Sequence, residues 1–174
     1  MAIYSFEGKK PDIHPKAFVH ESAQIIGGVV IGESCYVGAG AIIRGDYGNI
    51  KIGNRVAVEE GCVLHAPPGD TLSIGSEVIL GHGALIHNAV IEDHVRIAIG
   101  VITGLYAYIE EWAVIGDGAL VPPKQRVIGS KVYLGNPIKA VRAITDQDKA
   151  ATLGAVSLYA DLAARYHAGL QRIS

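Results

Sequence analysis

Residues 31–42 read Ile31-Gly32-Glu33-Ser34-Cys35-Tyr36 and then Val37-Gly38-Ala39-Gly40-Ala41-Ile42, two six-residue units with an aliphatic residue first, Gly second and a small residue fifth. The unit returns at 52–57, 74–79 and 115–120. Followed outward, the first position runs through Val19, Ile25, Ile31, Val37 and Ile43, resumes at Ile52, Val58 and Leu64, then at Ile74, Leu80 and Ile86, and continues from Ile91 through Ile97, Thr103, Ile109 and Ile115 to Val121. Only Thr103 breaks the aliphatic column. A six-residue unit is too short for a helix pair, and 22 glycines in 174 residues are too many for a helical domain. The pattern predicts a parallel β prism in which each hexad is one short strand, the first residue fills the axis, the fifth points inward near a corner and three hexads close a coil. Glycine at the second position is expected to relieve the turn.

The register is interrupted three times: extra residues fall between Ile43 and Ile52 and between Leu64 and Ile74, and one residue is missing between Ile86 and Ile91. Loops of this kind leave a coil where function can be added. The organisation expected is a single domain, with an N-terminal cap over 1–16, coils over 17–127, a strand and turn over 128–144 and a helix over 145–172. Thr145 and Asp148 have capping-box spacing, and Leu153, Val156, Tyr159, Leu162 and Tyr166 form a helical apolar stripe. The helix is expected to pack along the outside of the prism.

Composition narrows the function. Fifteen Lys and Arg against seventeen Asp and Glu give a net charge of −2, which offers no excess for a phosphate backbone or an anionic leaflet. No apolar run reaches transmembrane length and the first residues do not read as a signal peptide, so the expectation is a cytoplasmic protein that binds neither nucleic acid nor membrane. Cys35 and Cys62 sit in apolar surroundings and read as small hydrophobes.

Side chains other than Gly at the second position of a hexad are the candidates for chemistry. Arg44, His65 and His87 occupy it three register steps apart, so they stack on one face. Rungs lie about 4.8 Å apart and a Zn–N bond is about 2.0–2.1 Å, so two imidazoles on adjacent rungs can share a metal. His82 lies on the preceding face with Glu59, too far along the chain to join them in one subunit but able to arrive across a three-fold interface. The residues therefore suggest a homotrimer with each site built from His65 and His87 of one chain and His82 of the next. His14, His20, His94 and His167 are read as solvated.

The motifs Arg44-Gly45-Asp46, Glu59-Glu60-Gly61-Cys62-Val63-Leu64-His65, Gly81-His82-Gly83-Ala84-Leu85-Ile86-His87 and Gly135-Asn136-Pro137 resemble the gamma-class carbonic anhydrases and their homologues, including a branch linked to phenylacetate catabolism and thioesterase activity. The resemblance covers nearly the whole chain. It implies an all-β, left-handed parallel β-helix of hexapeptide repeats with a C-terminal α-helix, a homotrimer, and Zn2+, or Fe2+ or Co2+, on His65, His82 and His87. It implies reversible hydration of carbon dioxide to bicarbonate by a metal-bound hydroxide, with Arg44, Asp46, Glu59 and Tyr159 in catalytic positions. Arg44 and Asp46 match residues that orient the site and tie subunits together. The chain departs from the pattern at Glu59 and Glu60, where the family has Gln and Asp, in the short loop after His65, and at Ala155, where the family has Asn. The alternatives are a metal-dependent thioesterase, a CoA-dependent acyltransferase of the same repeat family using one His as base, and an inactive trimeric scaffold.

Overall fold

The computed structural model describes residues 2–174. Its chain winds into a left-handed β-helix of about seven turns with one C-terminal helix. The first face stacks 24–26, 42–44, Val63–His65, Leu85–His87, Ile102–Thr103 and Leu120–Val121. The second stacks 30–31, 50–52, Thr71–Ile74, Val90–Ile91, Tyr108–Ile109 and Arg126–Val127. Phe18–Val19, Tyr36–Val37, Ala57–Val58, Ile79–Leu80, Arg96–Ile97, Val114–Ile115 and Lys131–Leu134 make the third. Pairing is parallel until the last pair, where Lys139–Ala143 folds back antiparallel on Lys131–Leu134. Two long strands, Gln24–Ile31 and Ile42–Ile52, run on round a corner from the first face to the second, with a register shift after Gly27 that absorbs the extra residues after Ile43. The N-terminal residues do more than cap the stack: Ala2–Tyr4 and Asp12–Ile13 pair in parallel with Gln24–Ile31 and begin the first and second faces.

The axis is filled by the first-position column, every member of which from Val19 to Val121 is buried. Each fully buried Ile or Leu contributes about 1.5–3 kcal/mol relative to exposure. The fifth-position residues Cys35, Ala41, Val56, Val78 and Ala119 are buried beside it, and burial pushes the Cys35 and Cys62 thiols up to about 11 and about 12, as small hydrophobes in a core would be. Thr103 keeps the shape of Val, but its hydroxyl is buried with no hydrogen-bond partner. Thr103→Val should therefore stabilise the protein by about 1 kcal/mol, read as an upward shift of the denaturation midpoint at constant protein concentration.

The second-position glycines have a different cause from the one the pattern suggests. Gly32, Gly53 and Gly75 have negative φ, and what they avoid is the next rung: a Cβ on Gly53 would lie 2.5 Å from the Gly75 carbonyl oxygen, and one on Gly32 would lie 2.4 Å from that of Gly53. The left-handed conformation falls instead on the fourth position, where Ser34, Arg55, Glu77, His94, Trp112 and Ser130 all adopt φ between 54° and 63° at one corner.

The outward residue before each inward aliphatic has a different fate on each face. On the third face Phe18, Tyr36, Ala57 and Ile79 are apolar and buried, because the helix Asp146–Gly169 lies on them through Val156, Tyr159, Leu162, Ala163 and Tyr166. On the second, Val30 and Val90 are interspersed among Lys51, Ser73, Tyr108 and Arg126, and none of the six is buried. On the first, Ile42, Val63, Leu85, Ile102 and Leu120 form an unbroken aliphatic column that no described element covers, with Leu85 and Ile102 more than two-fifths exposed.

The helix starts where the capping residues place it. Thr145 Oγ1 accepts from the Asp148 N–H and the Asp148 carboxylate accepts from the Thr145 N–H, while Arg142 holds that carboxyl far below its usual range. The buried stripe departs from the expectation: Leu153 is exposed, and Thr152 and Ala163 are buried beside Val156. Two histidines are also less solvated than expected. His94 stacks on Trp112 with ring centroids 4.3 Å apart and lies between Glu77 and Glu111, and His167 Nε2 is 2.9 Å from the Ala17 carbonyl oxygen. No described helix is long and apolar enough to cross a membrane.

Candidate functional site

The stacking of Arg44, His65 and His87 is present: Arg44 pairs with His65 and His65 with His87 on successive rungs of the first face. The two imidazoles lie parallel to within 22°, with centroids 5.3 Å apart. Asp46, two residues beyond Arg44 at the corner, binds Arg44 Nη1 through Oδ2 at 2.6 Å and accepts from the Tyr47 N–H at 2.8 Å. Burial alone would raise the Asp46 carboxyl, but these hydrogen bonds and the Arg44 charge outweigh it and hold Asp46 below its ordinary value. Its other oxygen is 3.4 Å from His65 Nε2, outside hydrogen-bond geometry, so that buried nitrogen has no hydrogen-bond partner. Burial first, and then the Arg44 charge, lower the His65 pKa, which keeps the ring neutral at pH 7. A neutral imidazole with an unsatisfied nitrogen, parallel to a second imidazole one rung away, suits zinc, iron or cobalt.

His82 is elsewhere. It sits at the turn from the third face to the first, with Nε2 3.1 Å from Glu59 Oε2 and Nδ1 2.7 Å from Glu60 Oε2. Glu59, on the rung below, is buried and accepts from the His82 backbone N–H at 3.0 Å. Tyr159 reaches this group from the helix: its ring packs 5.2 Å from Tyr36, and burial together with the Glu59 carboxylate pushes its phenol above the usual range. The structure thus gathers the candidates into two clusters, Arg44-Asp46-His65-His87 on the first face and Glu59-His82-Tyr159 at the third-face corner. Among the described residues, no group of three His, Cys, Asp or Glu of the single chain is arranged to hold a metal.

Two features of these clusters escaped the sequence reading. Glu60 appeared there only as a departure from a pattern, yet it is bound by Tyr36 as well as lying against His82. It packs over Gly38, the second-position glycine one rung below, where a Cβ would meet both its carboxylate and its backbone nitrogen. The first-face aliphatic column was equally legible, as the residue before each inward aliphatic.

Comparison with known proteins supports one family. Residues 10–45 match the model for bacterial transferase hexapeptide repeats. The carnitine operon protein CaiE of Escherichia coli is 34% identical over 170 residues, spanning 98% of this chain and 87% of that protein. Two solved structures share the fold along nearly their whole length. A Bacillus cereus protein provisionally described as an acetyltransferase is 32% identical, with a TM-score of 0.93 over 96% of this chain and 97% of that one. A hexapeptide transferase family protein of Anaplasma phagocytophilum is 25% identical, with a TM-score of 0.91 over 95% of this chain and 98% of that one. Repeat, fold and relatives agree: this chain belongs to the gamma-class carbonic anhydrase-like family of hexapeptide-repeat proteins.

Proposed function

We propose that this chain is a metal-dependent enzyme that hydrates carbon dioxide reversibly, at sites shared between the subunits of a homotrimer. The observation that carries the reading is the pair of parallel imidazoles, His65 and His87, with His65 Nε2 buried and without a hydrogen-bond partner. The uncovered aliphatic column beside them supports a subunit interface on that face, since an apolar strip of this length is rarely left in water. His65 and His87 of one chain and His82 of the next would hold the ion, zinc by preference and iron or cobalt as substitutes. Three imidazoles leave zinc an open position, where it supplies a nucleophile at neutral pH by lowering the pKa of water.

The remaining work falls to this chain's own groups. Asp46 fixes Arg44 through Nη1, which leaves Nε and Nη2 to bind an anionic product such as bicarbonate. Glu59, buried against His82, is the carboxylate placed to take up the proton released on hydration. Tyr159 packs on Ala57, Ile79 and Val156 within reach of the Glu59 carboxylate.

A second reading has an observation of its own. A histidine held at Nδ1 by a carboxylate, as Glu60 holds His82, could also serve through Nε2 as the general base in acyl transfer from CoA, and that reaction takes no metal. A thioesterase would use the same metal site on another electrophile. The test is to assay metal-replete and metal-stripped trimer for carbon dioxide hydration, acyl-CoA hydrolysis and acyl transfer. Hydration that disappears with the metal is the expected result; acyl transfer that survives stripping supports the second reading, and inactivity in all three supports a scaffold.

A further inference from the structure

Glu60 is half-exposed, yet each of its carboxylate oxygens has a partner. Tyr36 donates its hydroxyl to Oε1 at 2.6 Å. The carboxylate packs over Gly38, where a Cβ would lie 2.7 Å from Oε1 and also 2.8 Å from the Glu60 backbone nitrogen. Oε2 faces His82 Nδ1 at 2.7 Å. Tyr36 is itself immobilised, buried on the third face with its ring 5.8 Å from Phe18 and, from the helix, 5.2 Å from Tyr159 and 6.0 Å from Tyr166. A carboxylate that served only to solvate the surface would need none of this.

A neutral imidazole carries one proton, and a carboxylate can only accept it. Glu60 at Nδ1 therefore favours the tautomer whose lone pair is on Nε2. Glu59 competes from the Nε2 side, but at 3.1 Å, and its oxygen already accepts from the His82 backbone N–H. We infer that Tyr36 and Glu60 are positioning residues that hold His82 by Nδ1 so that Nε2 is the nitrogen offered across the subunit boundary. The inference rests on the reading in which His82 completes a site with His65 and His87 of another chain. It also ties that site to the docking of the C-terminal helix, because Tyr159 and Tyr166 clamp the ring that holds Glu60.

A double-mutant cycle on the trimer, read as zinc affinity by chelator competition, tests it. Tyr36→Phe keeps the ring packing and should weaken zinc about 10-fold, and Glu60→Ala about 10–100-fold, as expected for an outer partner of a ligating histidine. The double variant should be no weaker than Glu60→Ala alone, because Tyr36 acts through Glu60. Additive losses, or a Tyr36→Phe trimer with unchanged affinity, would overturn the inference. Nitrogen NMR of the metal-free trimer at mildly alkaline pH gives a readout that does not depend on metal. His82 should be the Nδ1–H tautomer in the parent and shift toward Nε2–H in Glu60→Ala; the same tautomer in both defeats the inference. A parent trimer that binds no zinc but shows the Glu60-dependent tautomer would defeat the metal reading while leaving the positioning role standing.

Discussion

Replacing His82 by Ala should leave a folded trimer that has lost its metal and its carbon dioxide hydration together. His82 is nearly half exposed and its side chain fills no core position, so the fold has little reason to notice the change. The site loses one of three nitrogen donors, and the loss should exceed the about 10–100-fold that removal of an outer-shell partner costs. His65→Ala and His87→Ala should behave alike, although those residues lie on another face. Metal content, sizing and hydration rate measured on the three variants check this. If acyl transfer were the reaction, His82→Ala would abolish activity, while His65→Ala and His87→Ala would leave most of it.

Gly53→Ala should be among the most destabilising single methyl additions in the chain. The new Cβ would meet the Gly75 carbonyl oxygen at 2.5 Å and its carbon at 2.6 Å, both backbone atoms of the next rung that cannot turn away. Rungs must separate or the corner must rotate, at a cost of about 3 kcal/mol, and the strain would pass to Gly32, whose own missing Cβ clears the Gly53 carbonyl. Gly154→Ala provides the contrast. It lies in the helix with nothing within 4 Å of the added carbon, so it should stabilise by about 0.5–1 kcal/mol. Denaturant midpoints at one protein concentration check both signs, since any subunit assembly would otherwise shift the apparent stability.

The coil register was legible because one side chain per hexad must fill a narrow axis, and a buried aliphatic position tolerates few residue types. Val19 to Val121 follow that rule through all three interruptions, with Thr103 accepted on shape alone. Sequence shows where a Cβ is absent but not whether conformation or crowding removed it; at Gly53 it is crowding, while left-handed φ falls at the fourth position, on residues such as Arg55 and Trp112 at one corner and on Gly61 and Gly83 at another. The columns of Arg44, His65 and His87 followed from register alone. The contacts of Glu60 with Tyr36 and His82 did not, because they join residues 24 and 22 positions apart through side-chain direction rather than through a repeat. Leu153 was misplaced for a related reason: a helical stripe read from spacing does not say where its edge meets the prism, and the smaller Thr152 and Ala163 fit closer to it.

Subunit mixing tests the shared site most directly. His82→Ala chains retain His65 and His87, and His87→Ala chains retain His82, so neither homotrimer can complete a site. In any trimer containing both kinds of chain, one interface brings an intact pair from the first against an intact His82 from the second. Neither homotrimer should hold metal or hydrate carbon dioxide, and each mixed trimer should hold about one metal and show about a third of the parent hydration rate. Mixed trimers as empty and inactive as their parents, with wild-type trimer metal-loaded beside them, would contradict a site shared between chains.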